Sequence, residues 1–414
     1  MRILLPGVGS AGDVHPVVGV GRELRARGHD VTVLTDPHFR PVVEAAGLAF
    51  ATCGPPDIYA RLVRNPELWS ARRGFATLAR EALVPLAEPT FDYIRATKPD
   101  LVAASSLCFG ARIAQEALGV PLVSLYVQPM MIRSAQEPPS QAFFDVPSWM
   151  PGWAMELVYG VVDGLLIDRH LGGVKALRAR LGLPAVRGYI GAWSQSPFGV
   201  IGMFPADLVR VPTDWPARLA MTGFVESDPG DLDAPELRDF LSGRPPVVVT
   251  FGSAMQHAHR LYGAFAKALR AHGERVVLLA ADTSQLPGMS DPEVLELSWA
   301  PLGPLLHQSR ALVHHGGIGT CGRALAAGVP QLIVPHAHDQ FDNLRHVRRL
   351  GVGLGVDRGH PARFGAATDA LLSPAFAARA ASVAPRFAAD GAGLTADLLE
   401  AAAHGNPVPS RLLK

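Results

Sequence analysis

Between positions 298 and 343 the chain combines an aromatic side chain, two adjacent histidines, a glycine-rich turn and an acid-amide pair. The segment reads S-W-A-P-L-G-P-L-L, then L-V-H-H-G-G-I-G-T, then G-V-P-Q-L-I-V-P-H-A-H-D-Q-F-D-N. The apolar residues 311–313 predict a short buried strand, and His314 to Thr320 predict a turn into a helix that ends at Gly328. Backbone N–H groups at the start of a helix bind phosphate, and glycines let an anion approach the backbone closely. The spacing therefore predicts an anion site.

The polar and aromatic residues of this segment also have a structural interpretation. Trp299 fits an ordinary core position, and His314 fits the end of a strand without any ligand. The two adjacent histidines fit a metal site less well, because neighbouring side chains point apart and no further His, Cys or carboxylate stands at ligand spacing. We therefore expect no metal ion here.

A second glycine-rich turn follows the first predicted strand. Residues 7–12 read G-V-G-S-A-G and match the G-x-G-x-x-G pattern of dinucleotide-binding enzymes, with Asp36 near the position of a ribose-binding acid. Read alone, this pattern predicts an NAD-dependent oxidoreductase. Asp13 and Pro16 argue against that function, because a carboxylate directly after the third glycine repels the pyrophosphate that would dock there.

The composition fits a globular protein with two hydrophobic cores. The chain has 414 residues, of which 48% are hydrophobic and 18% charged, and its formal net charge is +1. With this balance of charges we expect no strongly basic surface that would bind nucleic acid or an anionic membrane. Three widely spaced cysteines, Cys53, Cys108 and Cys321, favour a reducing cytoplasm. The apolar run before the first glycines is too short for a signal peptide, and no stretch is long enough to cross a bilayer.

Two sets of alternating strands and helices predict an α/β fold with doubly wound parallel sheets. The first set occupies the first forty residues and continues beyond them, and the second opens with an apolar strand at 246–251. The stretch 226–240 begins with a run of Asp, Pro and Gly and predicts a linker. Residues 1–225 and 241–380 are then the two domains, and residues 381–414 form C-terminal helices.

As a whole, the segment at 298–343 resembles the donor-binding signature of the nucleotide-sugar glycosyltransferases with the GT-B fold, in which two Rossmann-like domains face each other across a cleft. The resemblance implies that the C-terminal domain binds a nucleotide diphosphosugar, that the N-terminal domain binds the acceptor, and that the C-terminal helices return to the N-terminal domain. It also implies that Trp299 stacks on the nucleobase, that His314 contacts the phosphates, and that Asp339 and Gln340 bind sugar hydroxyls. The remaining donor-binding residues that it implies are Gly12, Ser253, Gly316, Gly317, Gly319 and Thr320.

The first glycine turn resembles the G-S-x-G-D-V-x-P loop of bacterial natural-product and lipid glycosyltransferases. The motifs N-P-E-L-W, V-P-S-W-M-P, M-T-G-F and A-H-D-Q-F-D-N occur in the order found in rhamnolipid-type rhamnosyltransferases. That likeness implies a dTDP-rhamnose donor and a hydroxy-fatty-acid acceptor, while macrolide, glycopeptide, sterol and flavonoid acceptors stay open. The aromatic and Met-rich stretch 129–183 fits an apolar acceptor pocket or core packing equally well. Its candidate acceptor-binding residues are Met130, Phe143, Phe144, Trp149 and Met155.

Sugar transfer from a nucleotide diphosphosugar needs a base for the acceptor hydroxyl and a site that stabilises the leaving diphosphate. Asp13 is the candidate base, although an aspartate in this place also fits a helix cap. Many relatives carry a histidine base two residues earlier, where this chain has Ala11, so His15 is the second candidate. A single displacement without an enzyme nucleophile inverts the anomeric centre. We expect the anion site to replace a metal ion, and we expect no cofactor.

Two functions of other classes fit the same motifs. A nucleotide-sugar 2-epimerase shares the fold and a related anion site but needs no apolar acceptor region. A non-catalytic sugar-nucleotide-binding partner needs no base. We expect a cytoplasmic enzyme that binds no nucleic acid and has no transmembrane segment, with peripheral membrane association left open.

Overall fold

The computed structural model describes residues 1–70, 72–140, 146–147, 149–226, 230–252, 258–410 and 412–413. Within them the chain divides into two compact units. The first unit consists of Met1–Pro139, Phe144–Ser227 and Asp390–Lys414, and the second of Ser140–Phe143 and Asp228–Ala389. The C-terminal segment therefore belongs to the same unit as the N-terminus.

Each unit is built on one parallel sheet. The strands are β1 (Arg2–Pro6), β2 (Asp30–Leu34), β3 (Ala49–Ala51), β4 (Leu101–Ser105), β5 (Leu122–Tyr126), β6 (Val200–Gly202), β7 (Leu219–Met221), β8 (Val247–Thr250), β9 (Val276–Leu279), β10 (Val294–Leu297), β11 (Ala311–His314), β12 (Gln331–Ile333), β13 (Gly353–Gly355) and β14 (Leu412–Leu413). Their order is β14-β7-β6-β5-β4-β1-β2-β3 in the first unit and β10-β9-β8-β11-β12-β13 in the second. The central strands are apolar and buried, as expected for parallel sheets that helices cover on both faces. This confirms the predicted α/β class.

Helices connect the strands. They are α1 (Ala11–Ala26), α2 (Arg40–Ala45), α3 (Ile58–Arg64), α4 (Gly74–Leu78), α5 (Val84–Thr97), α6 (Phe109–Leu118), α7 (Gly152–Val162), α8 (Gly172–Arg180), α9 (Pro235–Leu241), α10 (His259–Ala271), α11 (Leu302–His307), α12 (Ile318–Ala326), α13 (Gln340–Leu350), α14 (Phe364–Leu371), α15 (Pro374–Val383) and α16 (Ala392–Ala403). In the part of the chain that the structure describes, no helix combines the length and the apolar character that a membrane span requires.

In each sheet the strand order reverses beside the first strand of the unit. The first unit continues from β1 to β2 and β3 on one side and then to β4 on the other, and the second unit places β9 on one side of β8 and β11 on the other. Parallel strands end at the same edge of a sheet, and a reversal of order opens a crevice there in which α/β proteins bind ligands. The loops after β1, β4, β8 and β11 are therefore the places where this fold positions a site.

The last helix, α16, packs in the first unit through polar contacts with α1 and β7. Arg27 donates a hydrogen bond to Glu400 at 2.9 Å, and His29 Nε2 lies 2.7 Å from the other oxygen of that carboxylate. The buried hydroxyls of Thr222 and Thr395 are 2.8 Å apart. These contacts, between residues far apart in sequence, fix the C-terminal segment on the unit that carries the first glycine turn.

Candidate functional site

The glycine turn of the second unit lies at the reversal point between β8 and β11. Gly316 has a φ of +94°, and a methyl group on it would meet Ile333 Cγ2 at 2.7 Å, so only glycine fits. Gly317 precedes α12, and among the described residues no side chain caps the N-terminus of that helix. Gly319 and Thr320 lie in the first turn of α12. The turn therefore presents backbone N–H groups to the crevice, which is the arrangement that binds a phosphate.

His314, the last residue of β11, is fully buried. Its Nδ1 accepts a hydrogen bond of 3.1 Å from the Gly316 N–H, so its Nε2 carries the proton and donates to Gln331 Oε1 at 3.1 Å. Burial lowers the pKa of His314 to about 3. Both ring nitrogens are thus committed inside the unit, and this geometry argues against the direct phosphate contact predicted for His314.

His315 lies on the opposite side of the strand, because successive residues of a strand point to opposite faces. A methyl group on Gly317 would lie 2.5 Å from His315 Nε2, and one on Gly252 would lie 2.7 Å from Cε1, so the ring occupies the space between the ends of β8 and β11. Its Nδ1 has no hydrogen-bond partner among the described residues. Burial, together with smaller effects of His314 and His336, lowers the pKa of His315 to about 3. A neutral imidazole therefore stands beside the uncapped start of α12.

The predicted sugar-binding pair lies against the same turn. Asp339 precedes α13 and Gln340 begins it, and both are buried. The Gln340 side-chain oxygen accepts hydrogen bonds from the backbone N–H groups of His336, at 2.6 Å, and Ala337, at 3.1 Å. Asn343 donates to the Gly316 carbonyl at 2.9 Å and to Asp339 Oδ2 at 2.6 Å. The pair is thus tied to the glycine turn through Asn343.

Asn343 has a part in this site that the sequence interpretation missed. It lies one helical turn after Asp339, and this spacing of four residues on one helix face was a usable signal. His315 was missed for a different reason: the alternation of a strand decides which of two adjacent histidines faces the crevice, and the register of a short strand is hard to read from sequence.

Trp299 follows β10 and therefore lies at the same edge of the sheet as the glycine turn. Its side chain is 63% exposed, which excludes the alternative interpretation as a core residue. A methyl group on Gly230 would come within 3.7 Å of its indole. Ser253, the last predicted donor-binding residue of this unit, lies outside the described residues.

The glycine turn of the first unit is closed by a side chain. Ser10 precedes α1, and both its backbone N–H and its hydroxyl donate to Asp13 Oδ2, at 2.8 and 3.0 Å. Gly9 has a φ of +133°, and a methyl group on it would meet that oxygen at 2.3 Å. Asp13 is thus the fourth residue of a capping box rather than the cap itself. Burial raises the pKa of this carboxyl, against the two hydrogen bonds from Ser10, which lower it. Gly12, predicted to bind donor, is part of this turn and not of the glycine turn at 316–317.

Aromatic rings stand beside this turn. The His15 ring contacts Phe39 edge-on at 6.2 Å, and Tyr59 stacks on His38 at 4.2 Å. Asp36, the residue that matched a ribose-binding acid, accepts hydrogen bonds from the backbone N–H groups of His38 and Tyr59, at 2.9 and 3.0 Å. Its two carboxylate oxygens hold this loop, which counts against the dinucleotide interpretation.

A pocket of about 520 Å³, including its open mouth, lies in the first unit at the carboxyl ends of β1, β2 and β3. Its walls are mostly apolar, and the polar side chains among them include Cys53, Thr90 and Tyr59. Cys53 Sγ and Thr90 Oγ1 are 3.5 Å apart. Gly9 also lines the pocket, so the pocket adjoins the Asp13 carboxylate. The sequence interpretation did not identify this pocket, because its lining comes from several separate segments.

The predicted acceptor-binding residues are not brought together in this way. Met155 is only 4% exposed and packs inside the first unit, so its predicted contact with an acceptor stays a prediction. Trp149 is 77% exposed, Met130 is half-buried, and none of the three lines the pocket. Phe143 and Phe144 lie outside the described residues.

No cluster of three or more His, Cys, Asp or Glu side chains suited to a metal ion occurs within the described ranges. The rings of His314 and His315 are 6.2 Å apart and nearly perpendicular. The two histidines therefore do not converge on one ligand position.

Comparison with known proteins links both units to sugar transfer. The profile of the glycosyltransferase family 28 N-terminal domain matches residues 3–135, and that of the erythromycin biosynthesis protein CIII-like C-terminal domain matches residues 265–394. O-mycaminosyltylonolide 6-deoxyallosyltransferase of Streptomyces fradiae is 30% identical, over 94% of this chain and 94% of its own length. Glycosyltransferase GtfE of Amycolatopsis orientalis is 31% identical, over 97% and 98%. The crystal structure of glycosyltransferase VinC in complex with dTDP has a TM-score of 0.70 at 21% identity, over 98% and 100%.

Proposed function

The chain belongs to the GT-B family of nucleotide-sugar glycosyltransferases of the natural-product type, and from that membership we propose that it transfers a 6-deoxyhexosyl group, rhamnosyl from dTDP-rhamnose, to a hydroxyl of an apolar natural product. The 6-deoxy sugar is supported by the relative from Streptomyces fradiae, whose name describes 6-deoxyallosyl transfer. Among 6-deoxyhexoses we choose rhamnose, because the order of the motifs resembles that of rhamnosyltransferases. The relatives do not support the closer likeness to rhamnolipid enzymes, so we place the acceptor among macrolide- or glycopeptide-like compounds.

The donor proposal rests on one observation: the uncapped start of α12 at the reversal point of the second sheet, with the His315 ring beside it. The N–H groups of the turn and a neutral imidazole N–H are all donors, and they match the oxygens of a diphosphate. We assign the phosphate contact to His315 in place of His314. Trp299 is the candidate for stacking on thymine, and Asp339 and Gln340 are the candidates for shaping the sugar site.

The acceptor proposal rests on the pocket beside Asp13. The pocket lies at the carboxyl ends of β1, β2 and β3, where α/β proteins bind their ligands, and Gly9 of its lining lies against the Asp13 carboxylate. Its apolar lining suits a hydrocarbon skeleton, and the Cys53 and Thr90 side chains offer polar contacts to it. We therefore prefer this pocket over the exposed Trp149 region as the acceptor site.

In the proposed reaction, Asp13 accepts the proton of the acceptor hydroxyl while the hydroxyl oxygen attacks the anomeric carbon. The bond from that carbon to the diphosphate breaks, and the negative charge that develops on the diphosphate is stabilised by the turn and by His315. One displacement inverts the anomeric configuration. Since the turn supplies the neutralising donors, we propose that turnover needs no divalent metal ion. Three free cysteines support the expectation of a reducing, cytoplasmic setting.

The experiment combines binding and turnover. Calorimetric titration with dTDP, UDP and inorganic pyrophosphate measures the donor site, and product analysis by mass spectrometry and NMR follows transfer from dTDP-rhamnose to a panel of macrolide, glycopeptide and hydroxyacyl acceptors. We expect dTDP binding and an inverted glycoside on a macrocyclic acceptor, in the presence of a chelator. Epimerised sugar from donor alone, or dTDP-sugar binding without hydrolysis or transfer in any acceptor reaction, contradicts the proposal.

A further inference from the structure

One helical run of the first unit is apolar on its solvent side. The run comprises α7, a π-helical turn at Asp163–Ile167 and a 3-10 turn at Asp168–His170. Trp149, just before it, and five residues on it each expose more than half of their surface: Trp153, Leu157, Val161, Leu165 and Leu166. The opposite side of the run is the one that packs in the unit, with Met155 and Asp163 buried. The run is therefore apolar on the side that faces solvent, while its buried side includes Asp163 and Asp168.

The exposed area is large for a surface that stays in water. By ordinary side-chain areas the six residues together expose roughly 700 Å² of apolar surface, above the 300–600 Å² of the largest patch on a typical monomer. It is close to the roughly 800 Å² that each partner buries in a stable interface. A surface helix normally turns its polar residues to solvent and its apolar stripe to the core, whereas this run exposes an apolar side.

Two glycines of the exposed face have no internal explanation. A side chain at Gly160 or Gly164 would have open space around it, since no described atom lies within 4 Å of a methyl group built there. Glycine inside a helix costs about 1 kcal/mol relative to alanine, and here the fold of the unit gains nothing in return. Small residues on a helix face let a second helix approach closely, so the two glycines indicate a helical partner.

The charged residues of the run indicate which helix could pack on the exposed face. Asp163 is paired with Arg133 at 2.7 Å, and the Asp168 carboxylate accepts backbone N–H groups of Gly188 and Tyr189. Glu156 and Arg169 are exposed near the two ends of the run, and neither has an ion-pair partner of opposite charge among the described residues.

We propose that a second copy of this chain covers this face, with the two helical runs antiparallel about a twofold axis and Glu156 of each copy opposite Arg169 of the other. In that register Leu165 of one copy lies over Gly160 of the other, and Val161 lies opposite Gly164. The apolar side chains thus meet the positions where the glycines leave room. A twofold interface must be complementary to itself, and this face carries one acid, one base and matching large and small residues at the required spacing.

An interfacial membrane helix is the main alternative, and this face fits it less well. Helices that lie on membranes carry many Lys and Arg residues beside the apolar side. Here the residues from 149 to 168 include no lysine or arginine, and Arg169 is the first base after them. A membrane would also gain nothing from the glycines.

The test measures oligomeric state by sedimentation velocity at 1–50 µM chain (an order-of-magnitude working range for interfaces of this size). We expect a dimer for the wild type. Gly160→Leu adds apolar surface but blocks the close approach, so it gives a monomer under the same conditions. Its circular dichroism spectrum should match the wild type, because the added side chain meets open space.

Charge reversal gives an independent test of the register. Glu156→Arg alone and Arg169→Glu alone should each weaken dimerisation about 10-fold or more, and the double variant Glu156→Arg/Arg169→Glu should restore it. Lys175→Glu reverses an exposed charge on the neighbouring helix and serves as the matched control, with dimerisation unchanged. A monomeric wild type, a dimeric Gly160→Leu variant, or no rescue in the double variant overturns the proposal. Flotation with phosphatidylcholine vesicles separates the membrane alternative, because that alternative predicts stronger vesicle binding by Gly160→Leu.

Discussion

The two units each carry a glycine-rich turn at the reversal point of their sheet, and the two turns differ in what meets the start of the following helix. In the first unit the Asp13 carboxylate closes the turn by accepting hydrogen bonds from the Ser10 N–H and hydroxyl. In the second unit no side chain of the described part of the chain caps α12, and the His315 ring stands beside its first N–H groups. The first turn is closed by a side chain of the protein itself, and the second is the turn that we propose binds the diphosphate of the donor.

The comparison separates glycine pattern from function. G-x-G-x-x-G after a strand describes a backbone shape, and that shape binds an external anion only if the chain does not supply one itself. The carboxylate in that place, Asp13, lies at the edge of an apolar pocket, and its pKa is raised. These two properties suit a group that accepts a proton rather than one that binds an anion. One fold element, used twice, thus supplies the proposed base and the proposed phosphate site.

The largest expected effect comes from removing the charge of the first turn. Asp13→Asn keeps the shape of the residue, and its amide oxygen can still accept the hydrogen bonds from Ser10 in the capping box. If Asp13 is the base, the rate of transfer falls by roughly 10²- to 10⁴-fold, while dTDP affinity from calorimetry and the melting temperature change little. In the wild type the rate should rise with pH through the pKa of Asp13 and then level off.

His15→Ala is the matched variant for that experiment. It removes the second candidate base and the edge contact with Phe39. Near-normal turnover in Asp13→Asn together with loss of turnover in His15→Ala would show that Asp13 acts only in the capping box and that His15 is the base.

The next effect distinguishes the two histidines of the second turn. His315→Ala should weaken dTDP binding by about 1.5 to 3 kcal/mol, the worth of a charge-assisted hydrogen bond, with little change in stability. His314→Ala should do the reverse, since it removes the partner of the Gln331 side-chain oxygen and of the Gly316 N–H and opens a cavity; we expect about 2 to 4 kcal/mol of lost stability. Titration with dTDP and urea unfolding measure the two quantities. Loss of affinity in a folded His314→Ala variant, with normal affinity in His315→Ala, returns the phosphate contact to His314.

The two turns should also respond to acid with opposite sign. His314 and His315 have pKa values of about 3 in the folded protein and about 6.5 when unfolded, so their contribution to stability is complete above pH 6.5 and is lost as the pH falls towards 3. Between pH 6.5 and 5 we expect a loss of about 2 kcal/mol per histidine. Asp13 has a raised pKa, so its carboxyl favours the folded state more as the pH falls.

Urea unfolding between pH 7.5 and 4.5 measures this dependence. His315→Ala should reduce the acid sensitivity below pH 6.5, and Asp13→Asn should not reduce it, because the Asp13 carboxyl contributes to stability in the opposite direction. An equal slope in wild type and His315→Ala would mean that His315 is not held neutral by burial.

The general architecture was accessible from the sequence because it depends on long, regular signals. Alternating apolar strands and amphipathic helices predicted two doubly wound sheets, and the structure confirms them. The capping role of Asp13 was also visible, although the cap itself is Ser10. The side-chain facts at the turn were not accessible: whether His314 or His315 faces the crevice depends on strand register, and a shift of one residue reverses the answer.

Features assembled from distant segments were the hardest to predict. The pocket beside Asp13 is lined by residues of several segments between Pro6 and Thr90, and no single one of these segments predicts it. The aromatic stretch after Pro129 was predicted to line an acceptor pocket, yet Met155 is buried and Trp149 points to solvent. Composition identified an unusual surface there but could not say which side of the helix would face water.

The smallest expected effect concerns Trp299, the exposed aromatic residue that lies at the same edge of the sheet as the second glycine turn. Stacking of an aromatic ring on a base is worth about 1 to 3 kcal/mol, and an exposed ring gives the lower end, so Trp299→Ala should weaken dTDP binding by about 1 kcal/mol, roughly 5-fold. Pyrophosphate has no base and should bind both proteins equally, which separates stacking from any change in the phosphate turn. Trp149→Ala removes a tryptophan of the other unit that is even more exposed, at 77%, and should change neither affinity. If Trp299→Ala weakens pyrophosphate and dTDP alike, the ring supports the turn and does not hold the base.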